Sequence, residues 1–292
     1  MPLRIVIVGP GRVGSAFGHR LARRGACVLG FVGRDEARTA AAVRFCGAGA
    51  ALQWSDLGRA HVVVFAVGDG DLGAAIAAAA RAVAPRSCSL WLHTSGRHGL
   101  DVFDATRVSG VRRGSIHPVA PFADPSSGLR AMHGAPAVLD GDGNSQRLLH
   151  RLCDLLGMVP VVSNGGERAT YHAACALAAN GTTALHALVE RVFAASGCLR
   201  VEDQRRLTHA LMASALQSSS ELGAALALSG PVRRGDKDTL SAHLASLGRL
   251  APEVLPAYRA LMLHAVDLAA ASGLDAIVAG ALRSTLAVKG PS

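Results

Sequence analysis

The sequence reads Gly9-Pro10-Gly11-Arg12-Val13-Gly14 directly after a short apolar run, Arg4 to Val8, and directly before a helical pattern. In a G-x-G-x-x-G turn between a strand and a helix, each glycine has its own task. The first allows the tight turn, the second lets the backbone approach a pyrophosphate, and the third lets the helix pack closely on the strand. The segment therefore predicts a dinucleotide-binding turn whose contact residues are Gly9, Gly11, Arg12, Val13 and Gly14.

The end of the second predicted strand indicates which dinucleotide is bound. An acidic residue at this position, about 20 residues after the glycines, binds the ribose 2′-hydroxyl of NAD. Here the strand ends in Gly33-Arg34, and an arginine can form a bidentate pair with the 2′-phosphate of NADP(H). Asp35 is the competing residue, but its place before a helical pattern suits an N-cap. With Arg12 and Arg38 adding positive charge, the sequence favours NADP(H).

Short apolar runs alternate with helical patterns up to about residue 163, which is typical of a parallel sheet covered by helices on both faces. The first two helices are predicted over Arg12 to Arg24 and Asp35 to Phe45. The runs are Arg4 to Val8, Cys27 to Val32, His61 to Val67, Ser87 to His93, Gly114 to His117, Pro136 to Leu139 and Val159 to Val162.

After Asn164-Gly165-Gly166 the strand patterns disappear, and helices are predicted over about 167–195, 202–226, 236–249, 252–271 and 274–287. The predicted fold class is thus α/β, with a doubly wound parallel Rossmann sheet over residues 1–163. An all-α substrate-binding and dimerisation domain is predicted over residues 164–292.

Composition excludes several classes of protein. The chain has 292 residues, half of them hydrophobic but only 4% aromatic, and a formal charge of +9. Its basic residues are spread out and lack interleaved aromatics, which argues against nucleic-acid binding. Its apolar runs are shorter than the about 20 residues that span a bilayer, and no secretory leader is recognisable, so we expect a cytoplasmic protein. The six cysteines are scattered, predicting buried hydrophobes and no metal site.

Polar side chains follow three of the predicted strands, at the sheet edge where ligands of open α/β sheets bind. Ala66-Val67-Gly68-Asp69 is expected to pass under the nicotinamide side of the cofactor, with Asp69 or Asp71 more simply capping the next helix. Ser95, in His93-Thr94-Ser95-Gly96, and His117, in Ser115-Ile116-His117-Pro118, face the same crevice. Each histidine could equally be a core residue, so catalytic and structural roles both stay open.

The second half of the chain offers further candidates. His172 and Asn180 lie eight residues apart on the first long helix, so they can share a face that closes over the nicotinamide; packing within the bundle is the alternative. Arg233 and Arg234 form a cationic turn suited to a substrate carboxylate or a cofactor phosphate, whereas Asp236 can simply cap the next helix.

These segments together resemble the Rossmann-like oxidoreductases that carry a C-terminal DUF2520 domain. This family lies within the superfamily of 6-phosphogluconate dehydrogenases, β-hydroxyacid dehydrogenases and pyrroline-5-carboxylate reductases. The resemblance implies NADP(H) as cofactor, a 6-phosphogluconate dehydrogenase C-terminal-like helical domain that pairs in a homodimer, and an active site between the domains. Some relatives look like ketopantoate reductases. The resemblance to this family rests on the segments Gly9 to Gly14, His93 to Gly96, Ser115 to Pro118, Phe122-Ala123-Asp124, Tyr171-His172-Ala173-Ala174 and Gly230 to Asp236.

One departure from the superfamily affects the expected mechanism. Its hydroxyacid dehydrogenases use a lysine on the first helix of the second domain, whereas the lysines here are Lys237 and Lys289. The leading hypothesis is hydride transfer between NADP(H) and a small carboxylate-bearing 2-oxo or 2-hydroxy acid. His172 or His117 would be the proton donor, and Ser95 and Asn180 would orient the carbonyl. The alternatives are an imine reductase, which needs no strong acid, and a regulatory protein that responds to NADP.

Overall fold

The computed structural model describes residues 2–83, 89–105 and 110–287. The chain divides into two compact units between Ala179 and Asn180. The predicted division at 163/164 lies just after the last strand, which ends at Val162. The boundary between the compact units lies later in the chain than predicted, because the next helix, Arg168–Ala176, packs on the first unit.

The first unit contains a single sheet of eight strands in the order β3-β2-β1-β4-β5-β6-β7-β8. Seven of these strands fall on the predicted apolar runs. β3 was not predicted, because its two exposed alanines make no apolar run. The first two residues of the predicted run Ser87 to His93 lie outside the described residues. The strands are β1 (Arg4–Val8), β2 (Cys27–Val32), β3 (Ala50–Ala51), β4 (Val62–Phe65), β5 (Leu90–His93), β6 (Arg112–Pro118), β7 (Pro136–Gly141) and β8 (Val159–Val162).

The sheet is mostly parallel, as predicted, and the exception is the pair of β6 and β7. Pro118, the last residue of β6, lies opposite Ala137 near the start of β7, so the two strands are antiparallel. The connection between them therefore leaves the end of β6 and enters the start of β7 on the same side of the sheet, without the crossover that parallel strands need. The remaining neighbours are parallel. Within the Rossmann part, β1 to β6, all neighbouring strands are therefore parallel, as predicted.

Helices cover both faces of this sheet. β1 shows why, since Ile5 and Ile7 enter the core on one face while Val6 and Val8 enter the core on the other. Each such side chain, when fully buried, stabilises the fold by about 1.5–3 kcal/mol. The helices of the first unit are α1 (Arg12–Arg23), α2 (Glu36–Cys46), α3 (Leu72–Ala82), α4 (Asp101–Ala105), α5 (Pro125–Met132), α6 (Gln146–Leu156) and α7 (Arg168–Ala176).

The second unit is helical, as predicted, but the first long helix is not one continuous α-helix. A π turn over Leu177–Gly181 separates α7 from the next helix. The second predicted helix stops at Leu222, because Gly223 adopts a φ of +79°. The helices of this unit are α8 (Thr182–Ser196), α9 (Val201–Leu222), α10 (Ala224–Ala227), α11 (Gly230–Arg234), α12 (Lys237–Leu250), α13 (Leu255–Ala271) and α14 (Ala276–Leu286).

The core of the second unit is formed by α11 to α14, with Val232, Leu240 and Val266 among its buried side chains. Among the described residues, one stretch, Pro252–Ala271, is long and apolar enough by length and composition to span a membrane. Ala265, Val266 and Ala269 of this stretch are buried in the core of the second unit.

The cysteines only partly follow the prediction. Cys46 and Cys153 are buried, and burial raises the pKa of the Cys153 thiol to about 11. Cys198 is exposed at the end of α8, so the prediction is wrong for this residue. Cys88 lies outside the described residues.

Candidate functional site

The glycine turn has the geometry that a dinucleotide requires. Gly9 adopts a φ of +104°, and a Cβ at this position would collide with the carbonyl oxygen of Ala66. Gly11 is the N-cap of α1, and a Cβ built on it meets no other atom within 4 Å. The backbone at Gly11 therefore faces open space at the positive end of a helix, where a pyrophosphate is stabilised.

The turn opens onto a cleft of about 560 Å³ in the first unit. Arg12 and Val13 are not among its lining residues: Arg12 donates a hydrogen bond to the carbonyl of Phe122 at 3.2 Å, and Val13 packs against the core. Of the other predicted cofactor contacts, the cleft is lined by Gly9, Gly11, Arg34, Ala66 and Val67.

Arg34 lies at the end of the cleft where a 2′-phosphate is expected, but it already has a partner. Its Nη2 is 3.0 Å from a carboxylate oxygen of Asp71, and both side chains are exposed, by 84% and 51%. The suggestion that Asp71 caps α3 is wrong, since its side chain makes no capping hydrogen bond. Asp35 does cap α2, accepting from the Arg38 amide at 2.9 Å, so the competing role for Asp35 at the ribose is not supported.

The remaining wall of the cleft is apolar and comes from Trp54 and from one face of α3, with Ala74, Ala75 and Ala78. An apolar wall next to cations suits an adenine ring that carries a phosphate on its ribose. The open backbone at Gly11, the two cations Arg34 and Arg38, and this wall together fit NADP(H).

At the carboxyl edge of the sheet, Phe65, His93 and Ser115 lie side by side on β4, β5 and β6. His93 is fully buried, with Nε2 3.2 Å from the carbonyl oxygen of Gly99 and with its ring against Phe103. Burial lowers the pKa of His93 to about 4, the carbonyl of Gly99 opposing the shift only partly. His93 is therefore a neutral core residue that shapes the loop after β5.

This burial predicts a pH dependence of stability. The unfolded chain takes up a proton at His93 near pH 6.5, but the folded chain does so only near pH 4. Between these values the unfolded state binds more protons, so the free energy of unfolding falls as the pH falls, by on the order of 3 kcal/mol through this residue. Urea unfolding at pH 7 and pH 4 should show a smaller loss for His93→Gln than for the unmodified protein. Equal losses would contradict this assignment.

The loop after β5 brings three of the predicted catalytic residues together. A Cβ at Gly96 would lie 2.6 Å from Nε2 of His117 and 2.8 Å from Cδ2 of His172, so the backbone of the loop packs against both rings. Ser95 precedes this glycine, and its hydroxyl oxygen accepts hydrogen bonds from the amides of Arg97 and His98, both at 3.1 Å. Ser95 therefore orders the loop, and only its hydroxyl proton remains for a ligand.

His117 and Tyr171 form a hydrogen-bonded pair beside this loop. Nδ1 of His117 is 2.7 Å from the Tyr171 hydroxyl, and its ring meets that of His172 edge-on at 6.1 Å between centroids. Burial, followed by the charges of Arg168 and His172, lowers the pKa of His117 to about 4. Burial also raises the pKa of Tyr171. Both members of the pair are therefore neutral at pH 7.

Sequence reasoning did not find Arg168, the first residue of α7. It is 9% exposed, its Nη2 donates to the carbonyl of Ser95 at 3.3 Å, and its guanidinium lies 4.9 Å from the centroid of the Tyr171 ring. A lone arginine at a helix start carries no motif. The available signal was spacing, since Arg168 lies three residues before Tyr171 and four before His172, which places all three on one helix face.

The other predicted site residues belong to the second unit. Asn180 is exposed and lies within the π turn, a distortion that is frequent at functional sites. Arg233 donates to the carbonyl of Ser272 at 3.2 Å, and Arg234 is exposed. Asp236 accepts from the Thr239 amide at 3.0 Å, so it does cap α12.

Two family profiles match the sequence. Residues 1–118 match a Rossmann-like domain, and residues 135–265 match the domain of unknown function DUF2520. This is the pair of domains implied by the resemblance, which is thereby confirmed. No curated protein is similar enough in sequence to be matched.

Three solved structures share the fold over most of the chain. A candidate NADP oxidoreductase from Bacteroides fragilis has a TM-score of 0.73 at 18% identity, covering 90% of this chain and 98% of its own. A reductive aminase from Aspergillus terreus, in complex with NADPH, has a TM-score of 0.60 at 15% identity, covering 98% and 93%. A pyrroline-5-carboxylate reductase from Coxiella burnetii has a TM-score of 0.58 at 14% identity, covering 92% and 99%. At these identities the likeness concerns the fold.

Proposed function

We propose that this chain, which matches a Rossmann-like domain over residues 1–118 and a DUF2520 domain over residues 135–265, is an NADP(H)-dependent oxidoreductase. Its substrate is a small carboxylate-bearing 2-oxo or 2-hydroxy acid, of which ketopantoate is one example. The observation that carries the proposal is that His117 and His172 meet at the Gly96 loop, on the carboxyl edge of a sheet that also carries the cofactor cleft. Two structural neighbours are described as an NADP oxidoreductase and as a reductive aminase in complex with NADPH, which supports the class of cofactor.

The cofactor would be held by the residues of the cleft. The amides at the start of α1 bind the pyrophosphate, and Arg34 and Arg38 bind the 2′-phosphate. Val67 and Ala66, which also line the cleft, would contact the nicotinamide end of the cofactor. When bound, NADPH supplies the hydride. Both substrate and hydride donor must approach within about 3–3.5 Å for reaction, which the rigid strand-end loops favour.

We assign proton donation to His172. A carbonyl that accepts a hydride becomes an alkoxide, which must be protonated. His117 is poorly suited, because burial and Arg168 keep it neutral and its Nδ1 is engaged with Tyr171. The ring of His172 packs on the same loop and has no hydrogen-bond partner among the described residues. His117 and Tyr171 then act as a neutral pair that orients the substrate oxygen.

A second candidate reaction, imine reduction, is favoured by one observation. Lysine is absent from α7, the π turn and α8, and His117 is held neutral. An iminium carbon accepts a hydride without any proton donor, so a site without a strong acid suits it. A third candidate, a regulator that binds NADP without turning over a substrate, would use the cleft alone.

A screen of NADPH oxidation separates these candidates. The panel contains 2-oxo acids, including ketopantoate, and cyclic imines. Turnover of 2-oxo acids supports the leading proposal, and turnover of imines alone supports the second. NADPH binding without oxidation of any compound in the panel would support the regulatory candidate.

We also propose that the protein is a homodimer. α9 contains only two buried residues, Gln204 and Thr208, while Leu207, Leu211 and Leu222 on the same helix are exposed. Contiguous exposed apolar side chains mark protein interfaces, and self-pairing is the commonest case. Light scattering at micromolar concentration should give twice the mass of 29.9 kDa, and Leu211→Glu should shift the protein towards the monomer. A monomeric unmodified protein would rule the dimer out.

A further inference from the structure

Arg168 is a buried cation without an acidic partner. The residue is 9% exposed, and no ion pair to a carboxylate is formed by its guanidinium among the described residues. Its Nε is buried and has no hydrogen-bond partner there. The segments outside the described residues contain neither Asp nor Glu, so they supply no acidic side chain.

The groups that contact Arg168 provide only part of the hydrogen bonds and none of the negative charge that a buried guanidinium requires. The carbonyl of Ser95 accepts one hydrogen bond, and the face of the Tyr171 ring provides a cation–π contact. Neither group carries a formal negative charge, and the Asp101 carboxylate, which lies against the same loop at Gly99, forms no ion pair with Arg168. A guanidinium held this deeply usually pairs with an anion, because the loss of hydration is large and only a close counter-charge offsets it.

The surroundings of Arg168 specify where the counter-charge would come from. The Ser95 carbonyl that Arg168 holds belongs to the loop that packs on His117 and His172. Arg168 and His172 lie four residues apart on α7, so their side chains are neighbours on one face, with about 5–6 Å between Cβ atoms. A positive charge and a proton-transfer group are thus one helical turn apart.

We propose that Arg168 binds the carboxylate of the substrate, and that this carboxylate is attached directly to the carbon that is reduced. The planar guanidinium fork matches a carboxylate in a bidentate pair. With the carboxylate on Arg168, the adjacent carbonyl or imine lies beside the histidines of the Gly96 loop. The inference rests on the proposed function for the reaction, and it selects 2-oxo and 2-imino acids over ketones, aldehydes and imines that lack a carboxylate.

This assignment replaces Arg233 and Arg234 as the carboxylate-binding residues. Arg233 is engaged with the carbonyl of Ser272, which follows α13, where a cation offsets the negative end of the helix. Arg234 is exposed, and exposed ion pairs contribute about 0–1 kcal/mol. Arg234→Met is therefore a matched control, since it removes an arginine of the same size from the surface.

The test compares the unmodified protein with Arg168→Met, Arg168→Lys and Arg234→Met. Binding of 2-oxoisovalerate is measured by calorimetry without cofactor and with NADP⁺, and 3-methyl-2-butanone serves as the equivalent ketone without a carboxylate. We expect Arg168→Met to weaken binding of the acid about 10- to 100-fold and to leave binding of the ketone and of NADPH unchanged. Arg168→Lys should bind the acid with intermediate affinity, because it keeps the charge but loses the fork. Arg234→Met should bind like the unmodified protein.

Thermal unfolding distinguishes ligand binding from a structural role. Removing a buried cation that has no counter-charge should raise the Tm of the ligand-free protein, by about 2–4 °C, and abolish the stabilisation that the acid gives. A structural arginine would instead lower the Tm while binding of the acid stayed normal, and that result would overturn the proposal. So would an unmodified protein that does not bind the acid, or a loss of binding in Arg234→Met alone. If Arg168-dependent binding is found but no acid is reduced, the proposed oxidoreductase function fails, while Arg168 remains the residue that binds the carboxylate.

Discussion

His172→Ala is expected to lower kcat for reduction of a 2-oxo acid by about 10²- to 10⁴-fold, the usual contribution of a general acid. The structure supports this assignment because the ring packs on the Gly96 loop and because the nearby His117 is kept neutral and bound to Tyr171. Affinity for NADPH should hardly change, since His172 does not line the cofactor cleft. Steady-state kinetics and an NADPH titration of the same variant provide the measurement.

Two further variants make this result specific. His150→Ala removes a histidine from α6, which is not part of the candidate site, and should leave kcat unchanged. Tyr171→Phe removes the hydroxyl that contacts His117 and should have a smaller effect than His172→Ala, because it acts through orientation. If His172→Ala and His117→Ala both kept near-normal kcat, the histidine would not be the acid, and imine reduction would become the leading proposal.

Arg34→Asp is expected to reverse the preference between NADPH and NADH, changing the ratio of their dissociation constants about 100-fold or more. The variant removes a cation that can bind the 2′-phosphate and adds a charge that repels it. NADH affinity should change little or increase, because a carboxylate at this strand end can bind the ribose 2′-hydroxyl. Fluorescence titrations with both cofactors measure the ratio.

Asp71→Asn provides the opposite change at the same place. Arg34 pairs with Asp71 at 3.0 Å, so NADPH must compete with this carboxylate for the guanidinium. Its removal should tighten NADPH binding by up to about fivefold, a modest effect because both side chains are exposed. Asp154→Asn, an exposed carboxylate on α6, serves as the control. Equal affinities of NADPH and NADH in the unmodified protein would contradict the role of Arg34.

Much of the fold was predictable because its signals are local. The glycine turn and the apolar run of β1 lie next to each other in the sequence, and each strand that carries a site residue was a recognisable run. The antiparallel direction of β7 was not predictable, since a buried strand has the same composition in either direction. The π turn at Leu177–Gly181 falls in a segment that lacks proline and has glycine only at its end, so it left no signal in the pattern.

The site residues that follow predicted strands could be found from the sequence, whereas the contacts that form only through tertiary packing could not. Ser95, His117 and His172 were expected near one crevice, and the structure brings them to one loop. The ion pair of Arg34 with Asp71 joins residues 37 positions apart, so it could not be predicted from the sequence around either residue. Arg168 was missed for the same reason, because what distinguishes it is burial without an acidic partner.

Transfer of the hydride itself is the most direct test of the proposed oxidoreductase function. NADPH carrying deuterium at C4 of the nicotinamide is incubated with the protein and the panel of 2-oxo acids and cyclic imines, and the products are analysed by mass spectrometry and NMR. The proposed function predicts that one face of the labelled cofactor delivers deuterium to the carbon next to a carboxylate, in the unmodified protein and at a strongly reduced rate in His172→Ala. NADPH that binds in the cleft but transfers no deuterium to any compound of the panel would contradict it.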